Sequence, residues 1–311
     1  MAKTAILFTG QGAQSVGMGK DIAEASPAAA QVYERANEVL GYDLRALCFE
    51  GPAEKLEQTD IQQPAIFTTA VAIWAALNNG RSIEEAPYAM AGLSLGEYTA
   101  LYAAESVSFE DALRLVQRRG ELMQAAATAV PSGMVSAMGL DVETVEKICR
   151  EASVHGVISP ANFNCPGQIV ISGAKAACEA SVGLIEAAGG KAIPLKVAGA
   201  FHSAIMQPAA DGLAEMLQRT TFHSPKVPVL ANVNCQYHTD AANIRLWLTE
   251  QLTQPVRWQA SMERLIAEGV ERFIEIGPGR VLAGLMRKIS RGTPVVNIST
   301  AEGLQQAVAS A

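Results

Sequence analysis

No apolar run in the 311-residue sequence is long enough to cross a bilayer, and the N-terminal run Ala5-Ile6-Leu7-Phe8 is too short for a secretion signal. Positive charge is in deficit. Lys and Arg total 24 against 31 Asp and Glu, a net charge of −7, which argues against general affinity for nucleic acid or an anionic membrane. Cysteine is sparse: Cys48, Cys149, Cys165, Cys178 and Cys235 are odd in number, widely spaced and free of C-x-x-C. That speaks against a disulfide framework or a zinc site and for reduced thiols in a reducing compartment. The expected location is cytoplasmic, or stromal if a transit peptide has been removed. Histidine is scarcer still, with only His155, His202, His223 and His238. Any catalytic base therefore has few candidates.

Hydrophobic residues make up 49% and charged residues 18%, the balance of a compact globular chain. The length allows one or two domains. The most informative stretch is Gly92-Leu93-Ser94-Leu95-Gly96-Glu97. A short apolar strand precedes it at Tyr88–Ala91, and a helix is expected from Tyr98 to Ala104. Strand, G-x-S-x-G, helix is the nucleophile-elbow pattern, which exposes a serine on a sharp turn. The helix N-terminus would aim main-chain N–H groups at a developing oxyanion. The same residues would also serve as an ordinary glycine-rich turn. A second glycine loop, Thr9-Gly10-Gln11-Gly12-Ala13-Gln14, follows the first strand. It lacks the third glycine of a dinucleotide fingerprint, where Ser15 stands, and the lysine of a P-loop.

Periodicity predicts helices over Pro27–Leu40, Ile66–Asn78 and Asp111–Ala126, with Thr59–Ala65 as a polar loop closed by Pro64. Arg114, Arg118 and Arg119 lie along the third helix, and two of the three are expected to be solvated. From Pro131 the pattern becomes β-α-β-β-α-β: strands at Met134–Leu140, Gly156–Asn162, Gln168–Ser172 and Ala192–Val197, helices from Asp141 to Arg150 and from Ala174 to Ala188. That is the ferredoxin-like order. After Ala200–Ser203 a helix is expected, then strands at Val227–Asn232 and Phe273–Ile276, with helices at Ile244–Leu252 and Val281–Ile289. The expected architecture is α/β: a large α/β-hydrolase-like subdomain (1–130 and 199–311) with a mainly parallel sheet, interrupted by a ferredoxin-like subdomain (131–198).

A serine nucleophile needs a base within hydrogen-bond reach. His155 and His238 read as surface-turn residues and His223 as a loop residue, which leaves His202, between Phe201 and Ser203, as the candidate. No acid completes a triad: Asp111 and Asp141 read as helix caps and the other acids as surface residues. A main-chain carbonyl could orient the ring instead.

Seven segments together resemble the malonyl-CoA:acyl-carrier-protein transacylase family, relatives of polyketide synthase acyltransferase domains. They are Gly10–Gln14, Gln63-Pro64-Ala65, Gly92–Tyr98, Arg119-Gly120, Asn162 with Pro166-Gly167-Gln168, Ala200–Ser203 and Glu275–Gly279. The resemblance implies transfer of malonyl from malonyl-CoA to the phosphopantetheine thiol of holo acyl carrier protein, without metal or bound cofactor. It implies Ser94 as nucleophile, His202 as base, Leu95 and Gln11 main-chain N–H groups as oxyanion hole and Arg119 as partner of the malonyl carboxylate. The Gln251 carbonyl would steady the histidine. Gln63, Asn162 and Gln168 would line the cleft, and Phe201 before the histidine goes with malonyl rather than methylmalonyl. The sequence departs from the family's usual pattern at Leu93, where histidine is common, and at Thr9, where proline is. A polyketide acyltransferase and a thioester-cleaving serine hydrolase are the competing readings. Arg287, Lys288 and Arg291, with Lys191 and Lys196, are candidates for docking an acidic carrier.

Overall fold

The structure is a computed structural model that describes residues 2–78 and 87–309. Two sheets organise it. The first is parallel, with order β2-β1-β7-β8: Ala89–Gly92, Thr4–Phe8, Arg272–Ile276 and Val295–Ile298. Its central strands are short apolar runs such as Ala5-Ile6-Leu7-Phe8, buried on both faces as a helix-covered parallel sheet requires. The second sheet is antiparallel, with order β4-β5-β3-β6: Ile158–Cys165, Gln168–Ala174, Ser132–Met138 and Lys191–Pro194. Helices Val142–Ala152 and Lys175–Ala187 pack on it around their own apolar cluster of Val135, Val145, Ile148, Ile171 and Ile185. Chain order and strand order together make this the ferredoxin-like arrangement expected from periodicity.

Two expected elements differ. The segment Thr59–Ala65 is not a loop. It is the start of the helix Thr59–Asn78, with Pro64 inside it. Polar Gln62 and Gln63 misled the reading, because both are buried rather than solvated. The Val227–Asn232 run does not extend into a strand. It makes one parallel bridge, with Met90 N–H to Pro228 O at 2.8 Å and Leu230 N–H to Met90 O at 3.0 Å. Pro228 has no N–H to continue the ladder.

The long helix Thr59–Asn78 is apolar all round, with buried residues from Ile66 through Trp74, and so runs through the core of the larger unit. Helix Phe109–Ala129 lies against it. They pack tightly at Gly120, where a Cβ would stand 2.7 Å from the Thr59 carbonyl oxygen. Only glycine allows that contact, and its neighbour Arg119 is fully buried.

Candidate active site

The elbow is built by backbone packed on backbone. A Cβ on Gly96 would stand 2.2 Å from Phe8 O, and one on Gly10 would stand 2.3 Å from Leu93 O. The turn after β2 and the loop after β1 are thus pressed together, with Leu93 N–H bonded to Phe8 O at 3.2 Å. This sets Gln11 of the loop beside the turn that carries Ser94 and Leu95. Ser94 itself has φ 51°, a strained value for serine, and Asn232 clamps it. The Asn232 amide oxygen accepts from Ser94 N–H at 2.6 Å, and its NH2 donates to Gly92 O at 2.8 Å.

Ser94 Oγ lies 2.8 Å from His202 Nε2 and 2.9 Å from Arg119 Nη2. His202 Nδ1 in turn lies 2.7 Å from the main-chain oxygen of Gln251. Donor chemistry fixes the direction of this chain. A guanidinium only donates and a carbonyl only accepts, so Arg119 donates to Ser94, Ser94 donates to Nε2, and Nδ1–H donates to Gln251. His202 is therefore poised as an unprotonated base toward the serine. Burial, and then the Arg119 charge, pull its pKa down to about 4, against the smaller upward pull of the Gln251 hydrogen bond. Its backbone is also left-handed, at φ 56°.

Arg119 is fully buried, whereas the side chains of Arg114 and Arg118 are about half exposed (51% and 48%) and paired with Asp111 and Glu121. Besides Ser94, Arg119 donates to Gln63 Oε1 at 2.7 Å and to Gln251 Oε1 at 3.0 Å. Its Nε has no well-aligned hydrogen-bond partner among the described residues, and the guanidinium lies 5.4 Å from the centre of the Tyr98 ring. Burial lowers its pKa from the usual arginine value, opposed by nearby Tyr98 and Glu97.

The structure therefore gathers Ser94, His202, Arg119, Gln63 and Gln251 into one hydrogen-bonded set. Leu95 opens the helix Gly96–Ala103, and the N–H groups of Leu95 and Gln11 have no main-chain partner among the described residues. Phe201 is buried beside His202. Asn162 lies where β4 is stitched to Val256, five residues beyond Gln251. Gln168 is not in the set: its side chain accepts from Lys288 Nζ at 3.1 Å. Lys288 lines an open cavity with Arg287, Arg291 and Pro166. Lys191 opens β6, at the edge of the small sheet opposite β4, and Lys196 lies just beyond the end of that strand.

Two residues read as surface groups are buried instead. His238 is not in an exposed turn, and Glu97 is not on a polar face; Glu97 Oε1 lies 2.8 Å from His238 Nε2. Glu97 follows the second elbow glycine, a place where the helix has no free face. That position was the available signal. Likewise Ser108, not Asp111, caps helix Phe109–Ala129, whereas Asp141 caps as expected. Among the described residues no cluster of three or more His, Cys, Asp or Glu could hold a metal ion, and no helix is long and apolar enough to cross a membrane.

A parallel α/β sheet, a serine elbow, a histidine base and a buried arginine define a serine-dependent acyl-transfer protein. The chain belongs to the acyl transferase domain family, whose profile matches residues 6–304. Within it, the sequence is 46% identical over 290 residues to the malonyl CoA-acyl carrier protein transacylase of Salmonella typhimurium, covering 93% of each chain. It is 43% identical to that of Bacillus subtilis over 310 residues, covering 99% of this chain and 97% of the relative. The fold superposes on an acyl carrier protein S-malonyltransferase from Vibrio cholerae with a TM-score of 0.94 at 43% identity, covering 98% of this chain and 100% of that one. A type II PKS acyl-carrier protein in complex with its malonyl-transacylase matches with a TM-score of 0.95 at 42% identity over the whole of both chains.

Proposed function

We propose that this chain is a malonyl-CoA:acyl-carrier-protein S-malonyltransferase, supplying malonyl units for fatty acid assembly through a malonyl ester on Ser94. The observation that carries this reading is the position of Ser94 Oγ, between His202 Nε2 at 2.8 Å and a buried guanidinium at 2.9 Å. One partner activates the nucleophile. The other supplies a cation for a substrate carboxylate.

In the first half-reaction Ser94 Oγ attacks the thioester carbonyl as its proton passes to His202 Nε2. The oxyanion is held by the Leu95 and Gln11 main-chain N–H groups. Collapse breaks the C–S bond, and the CoA thiolate leaves with the proton from His202. In the second, His202 takes the proton of the carrier's phosphopantetheine thiol, the thiolate attacks the acyl-serine, and Ser94 recovers that proton on leaving. Arg119 pairs with the malonyl carboxylate. Gln251 orients His202, Gln63 holds Arg119, and Asn162, Gln168 and Phe201 line the approach and the acyl pocket. We assign two subdomains, 1–130 with 199–311 and 131–198, a division supported by the two separate sheets.

Incubation with malonyl-CoA, with and without holo-carrier, tests the reading by mass spectrometry. A malonyl-enzyme that discharges onto the carrier is expected. Free malonate as the main product would make the protein a hydrolase, and absence of any acyl-enzyme would overturn the assignment.

A further inference from the structure

Behind the reacting residues lies a second buried group for which the acyl-transfer steps above have no role. The Glu97 carboxylate is fully buried and collects three N–H contacts. Oε1 faces His238 Nε2 at 2.8 Å; Oε2 accepts from the Gln251 side-chain NH2 at 2.7 Å and from Asn232 N–H at 3.0 Å. The opposite ring nitrogen of His238, Nδ1, is buried and has no hydrogen-bond partner among the described residues. An N–H there would be stranded, at a desolvation cost, so the ring carries its hydrogen on Nε2 and donates it to Glu97. Glu97 is thus held as a carboxylate acceptor.

The two residues that it grips are the two that grip Ser94. Asn232 accepts from Ser94 N–H at 2.6 Å, and the Gln251 NH2 donates to Ser94 O at 3.0 Å. Gln251 does more. With its NH2 drawn to Glu97, its amide oxygen must face Arg119, 3.0 Å away, and its main-chain oxygen receives His202 Nδ1–H at 2.7 Å. An amide has one donor end and one acceptor end, so anchoring the donor end decides what Arg119 meets. A buried cation and a buried anion are joined through one amide, and each fixes the orientation of the other's contact.

We propose that Glu97, backed by His238, is a positioning residue for acyl transfer: through Gln251 and Asn232 it holds Ser94, His202 and Arg119 in register. The inference rests on the acyl-transfer reading above. It accounts for a buried carboxylate that binds the side chain of Gln251, the residue whose carbonyl holds the His202 imidazole.

The test is a double-mutant cycle on kcat for malonyl transfer. Glu97→Ala removes the anchor; Glu97→Asp keeps the charge but withdraws it by one methylene, and serves if the alanine variant does not fold. Each variant is assayed below its own melting temperature. A displacement of about 1 Å at a reacting group can cost roughly 10²-fold. We expect each variant to lose about that much in kcat, with KM for malonyl-CoA within about threefold of the parent. In a Gln251→Ala background, adding Glu97→Asp should cost several-fold less than it does in the parent, because one of its two routes, that through Gln251, is already cut while that through Asn232 remains. Losses that multiply, or an aspartate variant with parental kcat, would overturn the proposal. If the parent itself transfers no malonyl, the functional reading fails instead. The same cycle is then read on acylation of Ser94 by p-nitrophenyl acetate, with the same criteria.

Discussion

Arg119 Nη2 donates to the Oγ of Ser94 across 2.9 Å, so the buried guanidinium and the nucleophile are direct partners. The contact holds the serine proton on the His202 side, where the base waits at 2.8 Å. It also draws electron density from the oxygen that must attack. A substrate carboxylate that engages Arg119 would therefore serve twice: it neutralises a buried cation and weakens the guanidinium's hold on Ser94. Acetyl offers neither effect.

Under the proposed function, that relationship predicts that Arg119 separates malonyl from acetyl. A guanidinium grips a carboxylate through two parallel hydrogen bonds, a geometry lysine cannot copy. Losing one partner of such a pair in a closed site costs about 2–5 kcal/mol. Arg119→Ala should lose most malonyl transfer while holding or gaining acetyl transfer, and Arg119→Lys should rescue little. The measurement is kcat/KM for both CoA esters in parent and variants. A parallel fall in both would make Arg119 a structural residue.

Ser94 and His202 should behave as a unit. Ser94→Ala should form no malonyl-enzyme by intact mass while keeping the parental fold, since alanine fits the same turn. His202→Ala should slow both half-reactions. The double variant should be little worse than the more damaging single one, as expected where one residue acts only through the other. A covalent malonyl adduct on the Ser94→Ala protein would show that another residue is acylated.

Much of this was legible in the sequence, and the limits have physical causes. Ser94 announced itself because an elbow needs glycines on both sides, and Gly92 and Gly96 are the marks of that crowding. His202 emerged by scarcity. The helix Val281–Ile289 was read to the residue, because an apolar stripe at helical spacing after Gly277-Pro278-Gly279 leaves little choice. Glu97, His238 and Gln63 were misplaced for one common reason. A polar side chain looks solvated until its partner is known, and these partners lie far along the chain: His238 is 141 residues from Glu97, and Arg119 is 56 from Gln63. Such long-range pairing has no local signature. The glycine contact that permits it, at Gly120, does leave one.

The pKa of His202, about 4, predicts a broad pH plateau. The base must be neutral, so kcat/KM should rise from low pH through that value and stay level to neutrality. Burial leads this depression and Arg119 follows, so Arg119→Met should shift the acid limb upward. Stability follows the same sign. The unfolded histidine titrates near pH ~6.5, so between there and pH 4 only the unfolded chain takes up the proton, and stability falls as pH drops across that window. A His202→Gln variant should show a smaller loss over the window in denaturant titrations. An acid limb that does not move in the Arg119→Met variant would separate the two groups electrically.

Phe201 tests the acyl pocket. It is buried next to the base, and serine in its place would open room near the α-carbon of the acyl group. One methyl group in an apolar pocket is worth about 1–3 kcal/mol, so Phe201→Ser should shift the malonyl-to-methylmalonyl product ratio only in part. Competition between the two CoA esters reads the ratio, and no change would place the wall of the pocket elsewhere.

Gly120 offers the sharpest structural test, because it lies outside the reacting set yet adjoins Arg119 at a close helix contact. Its missing Cβ would meet Thr59 O at 2.7 Å and Asp60 Cα at 2.9 Å. Both are backbone atoms of the neighbouring helix, so neither can rotate away. Gly120→Ala gains up to about 1 kcal/mol of helix propensity, but overpacking costs about 1–3 kcal/mol. The net should be a loss of stability, with the helices Thr59–Asn78 and Phe109–Ala129 forced apart at this point. Arg119 would then be drawn from Gln63, its partner at 2.7 Å. Malonyl transfer should fall more than acetyl transfer, the same sign as losing the arginine but smaller. Gly183 is the control: it sits inside the helix Lys175–Ala187 with nothing within 4 Å of its added Cβ. Gly183→Ala should stabilise and leave selectivity untouched. Thermal unfolding and the two kcat/KM values decide the matter. A Gly120→Ala protein as stable and as malonyl-selective as the parent would mean that the helix contact does not set the position of Arg119.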